Sequence, residues 1–220
     1  MDISGLARVR ADIDESASMA GVPSSSITLV VVSKGRSHDD VEAIASTGHT
    51  VFGENRQQGL AERIERGFPS RTEWHFVGPL QRRKVRWVEE HVTLLHSMDR
   101  LTLARSWVAA GDKPALVQFN LGNEPQKSGF DPDSAGAVVE TLLAIGVDVR
   151  GVMAIPPQAQ DPEETRPYFA ALRKIYERCR DEYDNMEHCS MGMSSDFQIA
   201  IEEGSTMVRV GRAIFEPTDR

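Results

Sequence analysis

Two basic residues lie at the ends of apolar runs near opposite termini of the chain. Lys34 follows the run Thr28–Ser33 (TLVVVS), and Arg209 lies within Met207–Val210 (MVRV). Because side chains alternate between the faces of a strand, both residues can face the inside of a closed sheet. A neighbouring cation favours a neutral amine, and a neutral amine condenses with an aldehyde to form a Schiff base. The alternative for Lys34 is a solvated loop residue, and for Arg209 a structural ion pair.

Glycine and serine residues after the last two apolar runs could bind an anion. Gly192-Met193-Ser194-Ser195 follows one run and Gly211-Arg212 follows the other. Hydroxyls and backbone N–H groups bind phosphate, and the loops after strands seven and eight commonly do so in parallel barrels. The alternative is a set of tight turns and helix caps, with Ser194, Ser195 or Asp196 capping the helix that follows.

Other polar residues at strand ends have ordinary structural interpretations as well as functional ones. His75, between Trp74 and Phe76, fits a hydrogen-bonded core histidine as well as a pocket residue. Asn55 could cap the next helix, and Met191 could fill the core.

Eight short apolar runs alternate with longer amphipathic segments. The predicted strands are Thr28–Ser33, Thr50–Gly53, Trp74–Val77, Thr93–His96, Ala115–Asn120, Val149–Ala154, Glu187–Met191 and Met207–Val210. The predicted helices are Asp2–Met19, His38–Ser46, Asn55–Glu65, Arg100–Ala109, Ser134–Ile145 and Pro162–Arg180. Regular alternation of strands and helices predicts an α/β protein with a parallel sheet.

Eight β/α units in a chain this short favour a closed (β/α)8 TIM-type barrel, with Asp2–Met19 as an extra N-terminal helix. We expect residues 1–220 to form a single domain, because no linker interrupts them. An open doubly wound sheet is the alternative, but no Gly-x-Gly-x-x-Gly turn follows the first strand.

Composition excludes several classes of partner. The 220 residues carry a formal net charge of −8, which disfavours nucleic acid and anionic membranes. The N-terminus has no signal-peptide pattern, and no apolar stretch is long enough to span a membrane. Cys179 and Cys189 match neither a metal site nor a disulfide framework, so we expect a cytoplasmic protein without a bound metal.

Several segments resemble, in order, the motifs of one family. They are Val32-Ser33-Lys34, Phe52–Arg56 (FGENR), Trp74–Gln81 (WHFVGPLQ) with Lys84, Asn120 with Glu124, Lys127 and Gly129, Ser190–Asp196 (SMGMSSD), and Gly204–Gly211 (GSTMVRVG). On these residues the chain resembles the pyridoxal phosphate homeostasis proteins, also called the YggS or PROSC family. The resemblance covers Thr28 to Phe215.

The resemblance implies a fold-type III barrel, similar to the N-terminal domain of alanine racemase, with pyridoxal 5′-phosphate (PLP) held as a Schiff base on Lys34. It implies phosphate contacts from Ser194, Gly211 and Arg212, and it implies that Arg209 faces the pyridine nitrogen. The remaining residues implied to line the pocket are Asn55, His75 and Met191. Arg212 departs from the family, in which a small residue, often threonine, is common.

Three functions are compatible with these residues. The first is a non-enzymatic binder that stores, buffers or delivers PLP in the cytoplasm, with PLP-requiring apo-enzymes as further partners. The second is a weak PLP-dependent racemase, for which His75 is the candidate base. The third is a Schiff-base aldolase, which would need Glu54 as a proton relay. Because no second domain follows the barrel, we expect a monomer.

Overall fold

The computed structural model describes residues 3–122, 124 and 128–216, and each predicted apolar run overlaps a strand. The strands are β1 (Thr28–Val32), β2 (Val51–Glu54), β3 (Glu73–Phe76), β4 (Leu94–Met98), β5 (Ala115–Phe119), β6 (Val149–Ala154), β7 (His188–Ser190) and β8 (Met207–Val210). Short, almost continuously apolar strands are typical of a parallel sheet that is covered on both faces.

The eight strands form a closed barrel in which each strand pairs with the next in sequence. All pairings are parallel, and β8 closes the barrel by pairing with β1, with Val30 opposite Arg209. The (β/α)8 prediction is therefore confirmed over the open doubly wound sheet. Parallel strands end at the same edge of a barrel, so the loops that follow them meet on one face.

The barrel interior is divided into an apolar layer and a polar layer. The apolar layer is a buried cluster that contains Val30, Leu94, Leu116, Met153 and Met207. The polar layer contains buried side chains farther along the strands, among them His75, His96 and Arg209. A larger core lies between the outer face of the sheet and the helices.

Six of the nine helices in the described residues follow the predicted segments. The nine are α1 (Ser4–Met19), α2 (His38–Ser46), α3 (Gln57–Arg66), α4 (Val85–His91), α5 (Leu101–Val108), α6 (Ala135–Ile145), α7 (Arg166–Glu182), α8 (Phe197–Glu202) and α9 (Arg212–Phe215). The sequence did not predict α4 or α9, and it predicted α8 only as a helix that follows residues 194–196. Pro162–Thr165 forms a 3-10 turn rather than the start of α7, and the Asp161 side chain caps this turn by accepting from the Glu163 N–H.

The extra N-terminal helix α1 packs against α8 and α9. In the part of the chain that the structure describes, every helix is too short or too polar to span a bilayer. The expectation of a single domain over residues 1–220 stays a prediction, because both ends of that range lie outside the described residues.

Candidate functional site

A cavity of about 280 Å³ opens at the carboxyl end of the strands. Six of the eight predicted site residues line it, namely Lys34, Asn55, Ser194, Arg209, Gly211 and Arg212. Val32 and Val77 add apolar surface. Asn55 does not cap a helix, since α3 begins at Gln57 and has no side-chain cap. The cavity thus combines an amine, two guanidinium groups, an amide and a serine hydroxyl.

Lys34 lies two residues after the end of β1, and its side chain is exposed at the mouth of the cavity. The residue before it is anchored twice. The Ser33 N–H donates to the Gly53 carbonyl at 3.0 Å, and the Ser33 hydroxyl donates to Glu54 Oε1 at 2.6 Å. The backbone that carries Lys34 is therefore fixed while the amine stays accessible.

A buried ion pair stabilises the loop that carries Lys34. Glu54 Oε1 lies 3.7 Å from Arg63 Nε, and both side chains are almost fully buried. Arg63 also donates to the carbonyls of Ser33 and Arg36, at 3.3 and 2.5 Å. Burial raises the pKa of Glu54, while the Ser33 hydroxyl and Arg63 act in the opposite direction. No sequence pattern indicates a role for Arg63, which lies within a polar helix segment.

Arg209 is buried in the wall of the cavity, and its partners are neutral oxygens. Its guanidinium donates to the Ser190 hydroxyl at 2.6 Å and to the Ala154 carbonyl at 3.0 Å. No carboxylate of the described residues lies within 4.0 Å of it. Burial lowers the pKa of Arg209 to about 10, so it stays charged at neutral pH. An arginine has five N–H groups, so donors remain for a ligand atom that accepts a hydrogen bond.

Ser194 joins the loops that follow β7 and β8. Its hydroxyl accepts from the backbone N–H groups of Gly211 and Ala213, at 3.2 and 3.3 Å. Asp196 occupies the N-cap position of α8, but its side chain makes no capping hydrogen bond to that helix and instead accepts from the Met193 N–H at 2.6 Å. The backbone also approaches closely here, since a Cβ on Gly211 would lie 2.9 Å from the Val32 carbonyl oxygen.

Two predicted pocket residues lie elsewhere. Met191 is fully buried in the core between the sheet and the helices, and Met193 lines the cavity instead. The left-handed backbone at Gly192 (φ 92°) redirects the chain between them. His75 is buried within the barrel and hydrogen-bonds to His96 at 3.0 Å, as its core interpretation predicts.

These groups fit a phosphorylated aldehyde. Lys34 supplies an accessible amine, and the Ser194 hydroxyl lies beside backbone N–H groups, as in a phosphate site. The buried Arg209 guanidinium suits an aromatic nitrogen that accepts a hydrogen bond.

Known proteins match this chain over nearly its full length. The family model of the alanine racemase N-terminal domain matches residues 5–218. The chain is 36% identical, over 217 residues, to the pyridoxal phosphate homeostasis protein of Aquifex aeolicus, and the match covers 96% of this chain and 95% of that protein. The chain belongs to the pyridoxal phosphate homeostasis protein family. The resemblance read from the sequence motifs is therefore confirmed.

Solved structures with the same fold include close matches. An unknown protein from Bifidobacterium adolescentis has a TM-score of 0.87 and 32% identity, covering 97% of this chain and 94% of that one. PipY of Synechococcus elongatus, solved with PLP bound, has a TM-score of 0.78 and 30% identity, covering 92% and 99%.

In this member of the pyridoxal phosphate homeostasis family, Lys34 and Asn55 border a second cavity of about 560 Å³. Glu54, Arg56 and Arg63 also line this second cavity. A third cavity, of about 210 Å³, is lined in part by Asn120 and Gln118. The Asn120 side chain donates to the Glu124 carbonyl at 2.9 Å within the predicted N-E-K-G loop, whose Lys127 lies outside the described residues.

Proposed function

We propose that this protein binds PLP on Lys34 and stores, buffers or delivers it. The observation that carries the proposal is one cavity in which Lys34, Arg209 and the Ser194–Gly211 pair meet. Support comes from the homeostasis protein of Aquifex aeolicus and from the PLP-bound structure of PipY, each matching at least nine-tenths of this chain.

Each lining residue has a distinct proposed role. When bound, PLP supplies an aldehyde that condenses with a lysine amine to form a Schiff base. Lys34 provides the amine, and Ser194, Gly211 and Arg212 hold the phosphate. Arg209 donates to the ring nitrogen, and Asn55 forms part of the wall. Because Met191 and His75 lie behind the cavity, we assign them support of the site rather than direct contact.

Arg209 favours binding over catalysis. A guanidinium only donates hydrogen bonds, so the ring nitrogen opposite it stays unprotonated. An unprotonated ring withdraws electrons weakly, which disfavours reactions that leave negative charge on the substrate. The residue therefore suits a carrier better than a decarboxylase or a transaminase.

The racemase alternative needs a base on the cavity side opposite Lys34. Its candidate, His75, is buried and bonded to His96, and burial lowers its pKa to about 3. Tyr168, Tyr176 and Tyr183 lie on α7 or at its end, outside the barrel. The aldolase alternative needs a free carboxylate, whereas Glu54 is held by Ser33 and Arg63.

The expected partners follow from the carrier function. An amine that displaces Lys34 releases the cofactor, so PLP-requiring apo-enzymes are the proposed recipients. The buried, unpaired thiols of Cys179 and Cys189 suit a reducing cytoplasm. We propose a monomer for the free protein.

An absorbance titration combined with a turnover assay tests this function. Wild type mixed with PLP is expected to develop a visible band that Lys34→Ala lacks and that Lys174→Ala, a control on α7, retains. L-alanine added to the loaded protein should release PLP without forming D-alanine. D-alanine formed at many turnovers by wild type but not by Lys34→Ala would replace the carrier with a racemase. Absence of the band in wild type would reject both.

A further inference from the structure

A chain of polar side chains crosses the barrel interior from Arg209 to His75. Arg209 donates to Ser190 Oγ at 2.6 Å, and Ser190 Oγ lies 3.1 Å from His96 Nδ1. His96 Nε2 lies in turn 3.0 Å from His75 Nδ1. The four residues come from β8, β7, β4 and β3, and each is at least nine-tenths buried.

The hydrogen-bond direction is fixed at the arginine. Arg209 can only donate, so Ser190 Oγ accepts from it and keeps its own hydrogen available for His96 Nδ1. In that arrangement His96 carries its proton on Nε2 and donates to His75 Nδ1. One consistent set of donors and acceptors therefore runs through the chain, with both imidazoles neutral.

Burial keeps these imidazoles neutral. It lowers the pKa of His75 to about 3, and it lowers the pKa of His96 well below the usual range, with His75 and Arg209 acting in the same direction. A neutral His96 keeps an acceptor on Nδ1, which the Ser190 hydroxyl needs. The hydrogen bonds from Arg209 to His75 therefore keep the same direction across the neutral pH range.

We propose that His96 and Ser190 are positioning residues that orient the Arg209 guanidinium toward the ligand in the cavity. This inference rests on the proposed function, in which that ligand is PLP and its ring nitrogen is the acceptor. With no carboxylate of the described residues within 4.0 Å, the guanidinium depends for its orientation on the Ser190 hydroxyl and the Ala154 carbonyl. His96 fixes the Ser190 hydroxyl, and Ser190 fixes the arginine.

If these four polar residues served only to stabilise the barrel, apolar side chains would be expected in their layer instead. The adjoining layer of the barrel is filled by apolar side chains such as Leu116 and Met153, which pack without buried polar groups. A polar chain carries a desolvation cost that apolar packing avoids. Because these hydrogen bonds end at the buried Arg209 guanidinium in the wall of the cavity, their consequence is selectivity for a ring whose nitrogen accepts a hydrogen bond.

The test compares PLP with deaza-pyridoxal phosphate, in which a C–H group replaces the ring nitrogen. Binding of each to wild type is measured by the visible band, and the ratio of the two Kd values is the readout. A hydrogen bond from a charged donor predicts that wild type favours PLP by about tenfold. His96→Phe and Ser190→Ala should bring the ratio close to one. His96→Gln, which offers both an acceptor and a donor, should restore most of the preference.

The controls separate this inference from folding and from the proposed function. His91→Phe removes a histidine on α4, outside the barrel, and should leave the ratio unchanged. If His96→Phe fails to fold, Ser190→Ala gives the same readout. A preference for PLP that survives in His96→Phe or Ser190→Ala overturns the inference alone. If wild type binds neither compound at Lys34, the proposed function fails and the inference fails with it.

Discussion

The hydroxyl of Ser194 lies 3.2 Å from the backbone nitrogen of Gly211 and accepts its hydrogen bond. This bond ties the loop after β7 to the loop after β8, although the two residues are 17 positions apart in the sequence. It brings a hydroxyl and the start of α9 to one wall of the cavity that also contains Lys34. The proposed phosphate contact depends on this pairing.

Replacing Ser194 should weaken PLP binding and slightly loosen the fold. Ser194→Ala removes a phosphate ligand and leaves two backbone N–H groups without their acceptor. We expect the Kd for PLP to rise about tenfold and the free energy of unfolding to fall by about 1 kcal/mol. Titration with PLP and urea denaturation measure the two effects. Ser106→Ala, on α5 and away from the cavity, is the control for PLP binding, and an unaltered Kd in Ser194→Ala would remove Ser194 from the site.

The Glu54–Arg63 pair should behave as a buried ion pair. Glu54→Leu leaves the Arg63 guanidinium buried without its carboxylate and should lower the free energy of unfolding by about 3 kcal/mol. In the double variant Glu54→Leu with Arg63→Met, the uncompensated charge is absent, so part of that loss should return. Urea denaturation of both variants checks this. A double variant less stable than Glu54→Leu would show that Arg63 acts mainly through the Ser33 and Arg36 carbonyls.

Acid should destabilise the protein through His75. The unfolded residue titrates near pH 6.5, whereas burial lowers the folded pKa to about 3, so below about pH 6.5 protons bind preferentially to the unfolded chain. The contribution of His75 to the free energy of unfolding is fully present above about pH 6.5 and is lost as the pH falls toward 3. At pH 5 the loss attributable to His75 is about 2 kcal/mol.

The variant His75→Gln isolates this contribution. It offers His96 an acceptor but does not titrate, so its stability should fall less between pH 7 and pH 5 than that of wild type. His91→Gln, outside the barrel, should follow wild type. Equal losses in wild type and His75→Gln would contradict the assignment. Urea midpoints at the two pH values provide the comparison.

Gly78 marks a close approach between two loops at the cavity. A Cβ at this position would lie 2.2 Å from the Asn55 carbonyl oxygen, so Gly78→Ala should lower the free energy of unfolding by about 2 kcal/mol and weaken PLP binding. Gly136→Ala is the matched control, because Gly136 lies in α6 with open space around its Cβ position. That change should stabilise the protein by about 1 kcal/mol. Thermal denaturation of both variants distinguishes the steric effect from loss of glycine itself.

Much of the fold was predictable because buried parallel strands are nearly continuous apolar runs. Thr28–Ser33 illustrates this, since it predicts β1 almost to the residue. Strand parity also placed Lys34 and Arg209 on the same cavity correctly. Helix α4 was missed because it is short and directly follows a basic segment, Arg82–Lys84, that resembles a loop in sequence and forms a 3-10 turn.

The remainder of the site depends on geometry that a single sequence does not contain. The contact between His96 and Ser190 joins residues 94 positions apart and requires the stagger of strands around the barrel. Met193 replaces Met191 at the cavity because Gly192 adopts a left-handed conformation, so strand parity stops at Ser190. Arg63 reaches the Lys34 loop from a helix, which no strand pattern predicts.

Borohydride reduction of the PLP-treated protein, followed by peptide mapping by mass spectrometry, tests the central claim most directly. Reduction makes the link between lysine and cofactor permanent, so the labelled residue can be identified. We predict that the label lies on the peptide containing Lys34 and disappears in Lys34→Ala, with Lys174→Ala labelled as in wild type. A label on another lysine in wild type, or labelling that persists in Lys34→Ala, would contradict the assignment of Lys34 as the residue that holds the cofactor.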